Sequence, residues 1–273
     1  MLALLALASS ALWGTADFFA GLRSRTVSPP AVVGLSQACA LVVLTVLVLR
    51  EGAPGPGGWP VWAFAAGVAG SVGLVSFYAA LASGTMGVVS PIAALGAVVP
   101  ILLGVAGGER PGPVVWTGMA VAVAGAALAS GPELTGAVSR RPVLLACLAA
   151  VGFGFALFAL DRGSRVSLLH TLWGMRLTSV TVFCVAAVAA RSVGGAGGRD
   201  LPALALIGLG DVTANALFAY ASSRGLVSVA SVLGSLYPVA TLVWARVLLG
   251  ERLRRVQLAG VTLALVGVVV MTR

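Results

Sequence analysis

The chain has 273 residues, 59% of them hydrophobic and only 9% charged, with a mean hydropathy of +1.07. A soluble domain carries about a quarter charged residues, so water is excluded as the main solvent. Crossings of about 20 residues each leave no room for a separate soluble domain. The net charge of +9 comes entirely from arginine. Nearly all the arginines flank apolar runs, as residues facing lipid headgroups do, and no basic run interleaves with aromatics, which argues against a nucleic-acid partner.

Runs with almost no interior charge are predicted as spans at about Met1–Leu22, Ala31–Leu49, Trp59–Ala82, Val88–Val105 and Val114–Ala129. The interruptions between them (SRTVSPP, REGAPGPG, ASGTMG, GGERPGP) hold the Gly, Pro and Arg of turns. The first run has no basic n-region and is read as an uncleaved span rather than a signal peptide. After the polar GPELTGAVSRRP, five more runs follow at about Val143–Leu160, Leu168–Ala190, Leu201–Ser222, Val227–Leu249 and Val256–Met271. The expected fold is therefore all-α integral membrane with ten transmembrane helices, divided as 1–131, a connector at 132–142, and 143–273. Cys39, Cys147 and Cys184 all fall inside apolar runs without C-x-x-C spacing and are read as small core residues.

The halves repeat. Gly108-Glu109-Arg110 matches Gly250-Glu251-Arg252 at an offset of 142, and Gly118 and Gly125 match Gly260 and Gly267 at the same offset. Trp13-Gly14 and Phe18 match Phe153-Gly154 and Phe158 at 140, and Phe77 matches Phe218 at 141. A near-constant offset signals duplication. With five spans per copy, the second copy enters the bilayer from the opposite side. Such an inverted repeat builds alternating access, because exchanging the roles of the halves opens the site to the other face.

Leu12-Trp13-Gly14, the apolar-Gly-Glu-Arg turns after the fourth and ninth spans, Leu236-Tyr237-Pro238 and the doubled five-span plan together resemble the EamA-type permeases of the drug/metabolite transporter superfamily. The resemblance covers essentially the whole chain. It implies a ten-helix basket around a central cavity, both termini in the cytoplasm, and export or exchange of small metabolites such as amino acids, nucleosides or drugs. Two departures stand out. Pro111 follows Glu109-Arg110 where Leu253 follows the second copy, and at the 142 offset Pro238 faces Gly96, so the two halves are expected to bend differently.

Two charges lie deep in spans. Arg176 is about eight residues into the seventh and Asp211 about ten into the eighth. At 1.5 Å per residue this is roughly 12 Å from one face and 15 Å from the other, in a core about 30 Å thick. The two are expected to pair, or to share a substrate contact. A structural salt bridge locking two helices is the competing reading. Asn215, one turn beyond Asp211, could join them or serve as interhelical glue. Asp17 is a candidate proton-binding carboxylate, with Arg23 or Arg25 as its expected partner. Trp13, Phe18, Tyr78 and Tyr237 could stack on a planar substrate or simply pack. Ser90-Pro91 and Tyr237-Pro238 fall inside spans where proline frees a carbonyl, and such interruptions often mark transporter sites. Glu109 and Glu251 are expected to close their own turns.

The partners expected are a small-molecule substrate and the lipid bilayer, with no cofactor, no metal and no nucleic acid. One histidine, His170, and no H-E-x-x-H or clustered ligand set argue against an intramembrane enzyme. A non-transporting membrane assembly factor is the other alternative. The all-Arg, Ala/Gly/Val-rich composition points to a GC-rich bacterial genome, and the expected location is the inner (cytoplasmic) membrane. Orientation is contested. Connectors on the N-terminal side hold Arg50, Arg110, Arg162, Arg165, Arg224 and Arg273, against Arg23, Arg25, Arg140, Arg141, Arg191, Arg199, Arg252, Arg254 and Arg255 on the other. The positive-inside bias then places the N-terminus outside, opposite to what the resemblance implies.

Overall fold

The computed structural model describes residues 1–83, 89, 92–129, 140–192, 194–249 and 255–271. Ten helical crossings run in sequence: α1 (Leu2–Arg23), α2 (Pro29–Glu51), α3 (Trp59–Ser83), α4 (Ile92–Ala106), α5 (Pro113–Ala129), α6 (Arg140–Ser164), α7 (Leu168–Ala190), α8 (Leu201–Ser223), α9 in two pieces, α9a (Val227–Gly234) and α9b (Tyr237–Leu249), and α10 (Arg255–Met271). Seven of these crossings are at least 18 residues long and apolar enough to span a bilayer, and α4, α5 and α10 are shorter apolar helices. The ends follow local chemistry. Pro29 and Pro30 open α2, where their missing N–H groups cost nothing. Gly52 at φ +88 closes α2, and Gly108 at φ +102 turns the chain after α4.

Large apolar side chains such as Leu4, Phe64, Val188 and Leu206 stay exposed around the outside, as they should where the solvent is lipid. Cys147 and Cys184 belong to that outer surface and only Cys39 is half-buried, so they are not core residues. Their small, apolar thiols suit a lipid-facing site equally well.

Contacts at helix ends place the two ends of α2, α7 and α8 on opposite faces. On one face, His170 Nε2 donates to Gly52 O (3.0 Å), and Arg165 Nη2 donates to Ser222 O (3.2 Å). On the other, Arg23 pairs with Asp200 (3.1 Å), and Ser28 N donates to Gly194 O (2.9 Å). His170 also accepts from Ser167 Oγ (2.9 Å), so both its ring nitrogens are used in tying α7 to the loop after α2.

Packing is exchange-symmetric. The α3–α6 contact has its counterpart in α8–α1, α3–α7 in α8–α2, and α1–α9 in α6–α4, whereas α5–α10 and α2–α7 map onto themselves. The α5–α10 seam shows this at atomic scale: a Cβ on Gly125 would stand 2.2 Å from Ala264 N, and one on Gly267 2.5 Å from Ala122 N. Only glycine allows such approach, the usual way apolar helices associate in lipid. The fold is two inverted five-helix repeats around a central cavity.

Both halves are interrupted beside a glycine, but in different ways. In α4 a 3-10 turn (Leu95–Ala97) precedes the regular helix from Val98, and in α9 the helix stops at Gly234 and restarts at Tyr237. Pro100 stands four residues after Gly96, and Pro238 four after Gly234. Neither proline can donate to the glycine carbonyl one turn back. The true local register is therefore 138. The second copy has four more residues, about one helical turn, before its Gly-Glu-Arg, and matching from that motif hides Pro100.

Candidate functional site

A cavity of about 110 Å³ opens where the broken helices cross the first helix of the opposite half. Glycine makes the crossing possible in both copies. A Cβ on Gly14 would lie 2.2 Å from Tyr237 O, and one on Gly154 2.3 Å from Gly96 O. Thr241 Oγ1 also donates to Gly14 O (3.1 Å), and Trp244 Nε1 donates to Thr15 Oγ1 (2.8 Å), fastening α9b to α1. The aromatic preceding each glycine, Trp13 or Phe153, lines the cavity, as do Gly96 and Ala97 from one break and Gly234 and Ser235 from the other. The Gly96 and Gly234 carbonyls, denied a proline donor, thus belong to residues on the cavity wall.

Arg176 and Asp211 meet on this wall. The guanidinium Nη2 donates to Asp211 Oδ2 at 2.5 Å; Arg176 is 2% exposed and the Asp211 side chain 25%. Asn215 Nδ2 donates to Asp211 O (2.7 Å) and Oδ1 (3.2 Å), so the carboxylate is held from two directions. All three residues line the cavity. The pair is confined to one repeat. Ser36 O is the nearest atom to a Cβ built on Gly208, and Met175 O is the nearest backbone atom to one built on Gly67. Gly67 and Gly208 correspond, so Met175 corresponds to Ser36 and Arg176 to Gln37, while Asp211 corresponds to Gly70. Where one half holds an ion pair, the other has a glutamine and a glycine.

Asp17 and Tyr237 also line the cavity. Asp17 accepts a hydrogen bond from Tyr78 Oη at 3.3 Å. Arg23 does not pair with it. Six residues on, and about 9 Å further along the helix, Arg23 reaches Asp200 at the membrane face instead. Tyr78 is buried behind Asp17, and Trp13 packs against Phe218 at 5.6 Å between ring centroids. Phe18 is buried against Phe19 and is not part of the wall. Pro238 is buried and acts through the backbone bond it removes. Ser90 and Pro91 lie outside the described residues.

Glu109 does not close its own turn. It receives Val227 N (2.6 Å), Ser228 N (3.2 Å) and Ser228 Oγ (2.6 Å), capping α9a in the other half. A carboxylate at a helix N-terminus satisfies orphan donors and complements the dipole. Glu251 lies outside the described residues.

Sequence reasoning missed Gln37, Phe153, Ser179 and Ser235, all on the cavity wall. Gln37 is 3% exposed, and its Oε1 has no hydrogen-bond partner. It is a lone amide within an apolar span, and that was the available signal. Phe153 could have been found through its match to Trp13.

No curated protein matches this chain. A solved crystal structure, described only as that of a protein, superposes with a TM-score of 0.82 at 21% identity, over 99% of this chain and 98% of that one, a likeness of fold. The family model for the EamA-like transporter family matches residues 1–131 and again residues 140–273. Matched twice across nearly its full length, and folded as two inverted five-helix repeats about a membrane-buried cavity, the chain belongs to the EamA-like transporter family of the drug/metabolite transporter superfamily.

Proposed function

We propose that this membrane transporter exports or exchanges a small metabolite, amino-acid-like compound or drug across the cytoplasmic membrane by alternating access. The observation that supports this most directly is the cavity itself, set where two broken helices from opposite halves meet and holding the Arg176–Asp211 pair. Ion pairs in a bilayer interior are costly and are kept where they contact substrates or ions, and interrupted helices at mid-membrane are how transporters present backbone groups to cargo. Trp13, Asp17, Arg176, Asp211, Asn215 and Tyr237 form the substrate-facing set in this reading. Phe18 and Tyr78 support it from behind, and Pro238 holds the α9 break open. Residues 1–131 and 143–273 act as the two rocking units, joined at 132–142, with both termini in the cytoplasm.

The test is flux in proteoliposomes for a panel of amino acids, nucleosides and cationic drugs, with and without a pH gradient, for wild type and Asp211→Asn. Flux that falls with Asp211→Asn supports the reading, and dependence on the gradient adds proton coupling. Absence of flux for every compound, from protein shown to be folded, would overturn transport and favour a non-transporting assembly factor.

A further inference from the structure

We propose that the cavity selects a monovalent organic cation, a protonated amine on an apolar or aromatic body, with Asp17 and Gln37 receiving its N–H donors. The inference rests on the transporter reading and narrows its substrate class.

The charges on the wall do not balance. Among the described residues lining the cavity, two are carboxylates, Asp17 and Asp211, and one is a cation, Arg176. Arg176 is committed to Asp211, and Arg23, the arginine nearest to Asp17 in sequence, is committed to Asp200. Asp17 is left with a hydrogen bond from the Tyr78 hydroxyl, and no cationic nitrogen of a described residue lies within 4.0 Å of it. An ionised carboxylate offers about four acceptor positions, so most of its capacity is unused. Once ionised in a bilayer interior, such a group calls for a counter-charge, which a bound cation supplies.

A second observation, on a different helix, points the same way. Gln37 on α2 is 3% exposed and lines the same cavity, yet its Oε1 accepts nothing. The Tyr237 hydroxyl on α9b is likewise buried without a partner. Buried acceptors left empty are unfavourable, and a ligand bearing several N–H donors would fill them. The indole of Trp13 and the ring of Tyr237 add faces that attract cations. Leu74, Leu157 and Met175 supply an apolar surface for the rest of the molecule. An anion would meet two carboxylates and a guanidinium already neutralised.

The experiment measures binding to the full-length protein in nanodiscs, by calorimetry at neutral pH. Four probes share one phenyl body: phenethylamine, 3-phenylpropionate, the amino acid phenylalanine and 2-phenylethanol. The amine is expected to bind at least about tenfold more tightly than the other three, the scale of one charge-assisted contact. Asp17→Asn is expected to weaken it about tenfold or more and Gln37→Leu by several-fold, while Asp17→Glu, which restores the charge, stays close to wild type. Equal or tighter binding of the anion or the zwitterion overturns the proposal. So does amine affinity indifferent to Asp17→Asn in protein that remains monodisperse, or no amine binding at all. Flux separates the two readings: transport of the anion or zwitterion but not the amine sinks the cation inference and leaves the transporter standing, whereas amine binding without flux of any compound does the reverse.

Discussion

Removing one member of the Arg176–Asp211 pair should cost far more than removing both. Arg176 is 2% exposed, so Asp211→Asn leaves a guanidinium buried in the membrane interior without its counter-charge. Stranding a buried charge costs about 3–5 kcal/mol, whereas replacing both members by neutral groups of similar volume is nearly neutral. The Asp211 side chain is 25% exposed to the cavity, and water there offsets part of the loss, which puts the expected single-mutant cost at the lower end, about 3 kcal/mol. Arg176→Met keeps the stem's packing and leaves Asp211 with only Asn215, so it should cost about 1–3 kcal/mol. The double variant should recover most of the loss, giving a coupling energy of about 2 kcal/mol or more. The assay is a thermal melt in detergent of the four proteins, using the conversion of about 2–4 °C per kcal/mol for chains of this size. Additive melting shifts, with coupling below about 0.5 kcal/mol, would refute the idea that the two charges hold each other in place.

Glu109→Ala should lower stability by about 1–2 kcal/mol, the scale of a lost N-terminal cap, with Glu109→Gln in between, read by the same melt; an unchanged melting temperature would remove the cap from consideration. Gly125→Ala should destabilise by about 1–3 kcal/mol through overpacking, because its Cβ falls 2.2 Å from Ala264 N, while Gly21→Ala, with nothing within 4 Å, should not. Equal effects at the two sites would contradict the seam. Pro238→Ala supplies the missing N–H to Gly234 O and should raise the melting temperature while slowing flux; faster flux would show that the break is dispensable. Single cysteines at Arg25 and Glu51, on opposite faces in this fold, should label reciprocally with an impermeant maleimide in whole cells. Labelling at Arg25 rather than Glu51 places the N-terminus in the cytoplasm, and the reverse upholds the arginine count.

The ten crossings are legible because charge is excluded from hydrocarbon over stretches of fixed length, and Arg176 with Asp211 is legible for the same reason turned around: a charge inside such a stretch must find a partner at its own depth. Helical phase would have sorted α1 further. Trp13 and Asp17, four residues apart, share a face, and both line the cavity. Phe18, about 100° round the helix from Asp17, cannot share it. Gln37 escapes notice because a neutral amide scatters among packing residues until its empty acceptor is seen in three dimensions. The paired helix breaks were hidden by a four-residue difference in length that no single offset can absorb. The reach of Glu109 to Ser228 spans 119 residues, beyond any local pattern.

The mapping of the α5–α10 and α2–α7 contacts onto themselves carries a kinematic consequence. When an inverted-repeat protein passes to its opposite-facing state by exchanging the conformations of its halves, every contact takes the geometry its counterpart had before. A helix pair that is its own counterpart exchanges only its two related sets of residues. Gly125–Ala264 and Gly267–Ala122 are each other's counterparts and nearly equal, at 2.2 and 2.5 Å, so in the proposed cycle their exchange would change little and the seam would act as a fixed bearing. Contacts such as α1–α9 and α6–α4, held by Gly14 against Tyr237 and Gly154 against Gly96, would trade places in that cycle and carry the stroke.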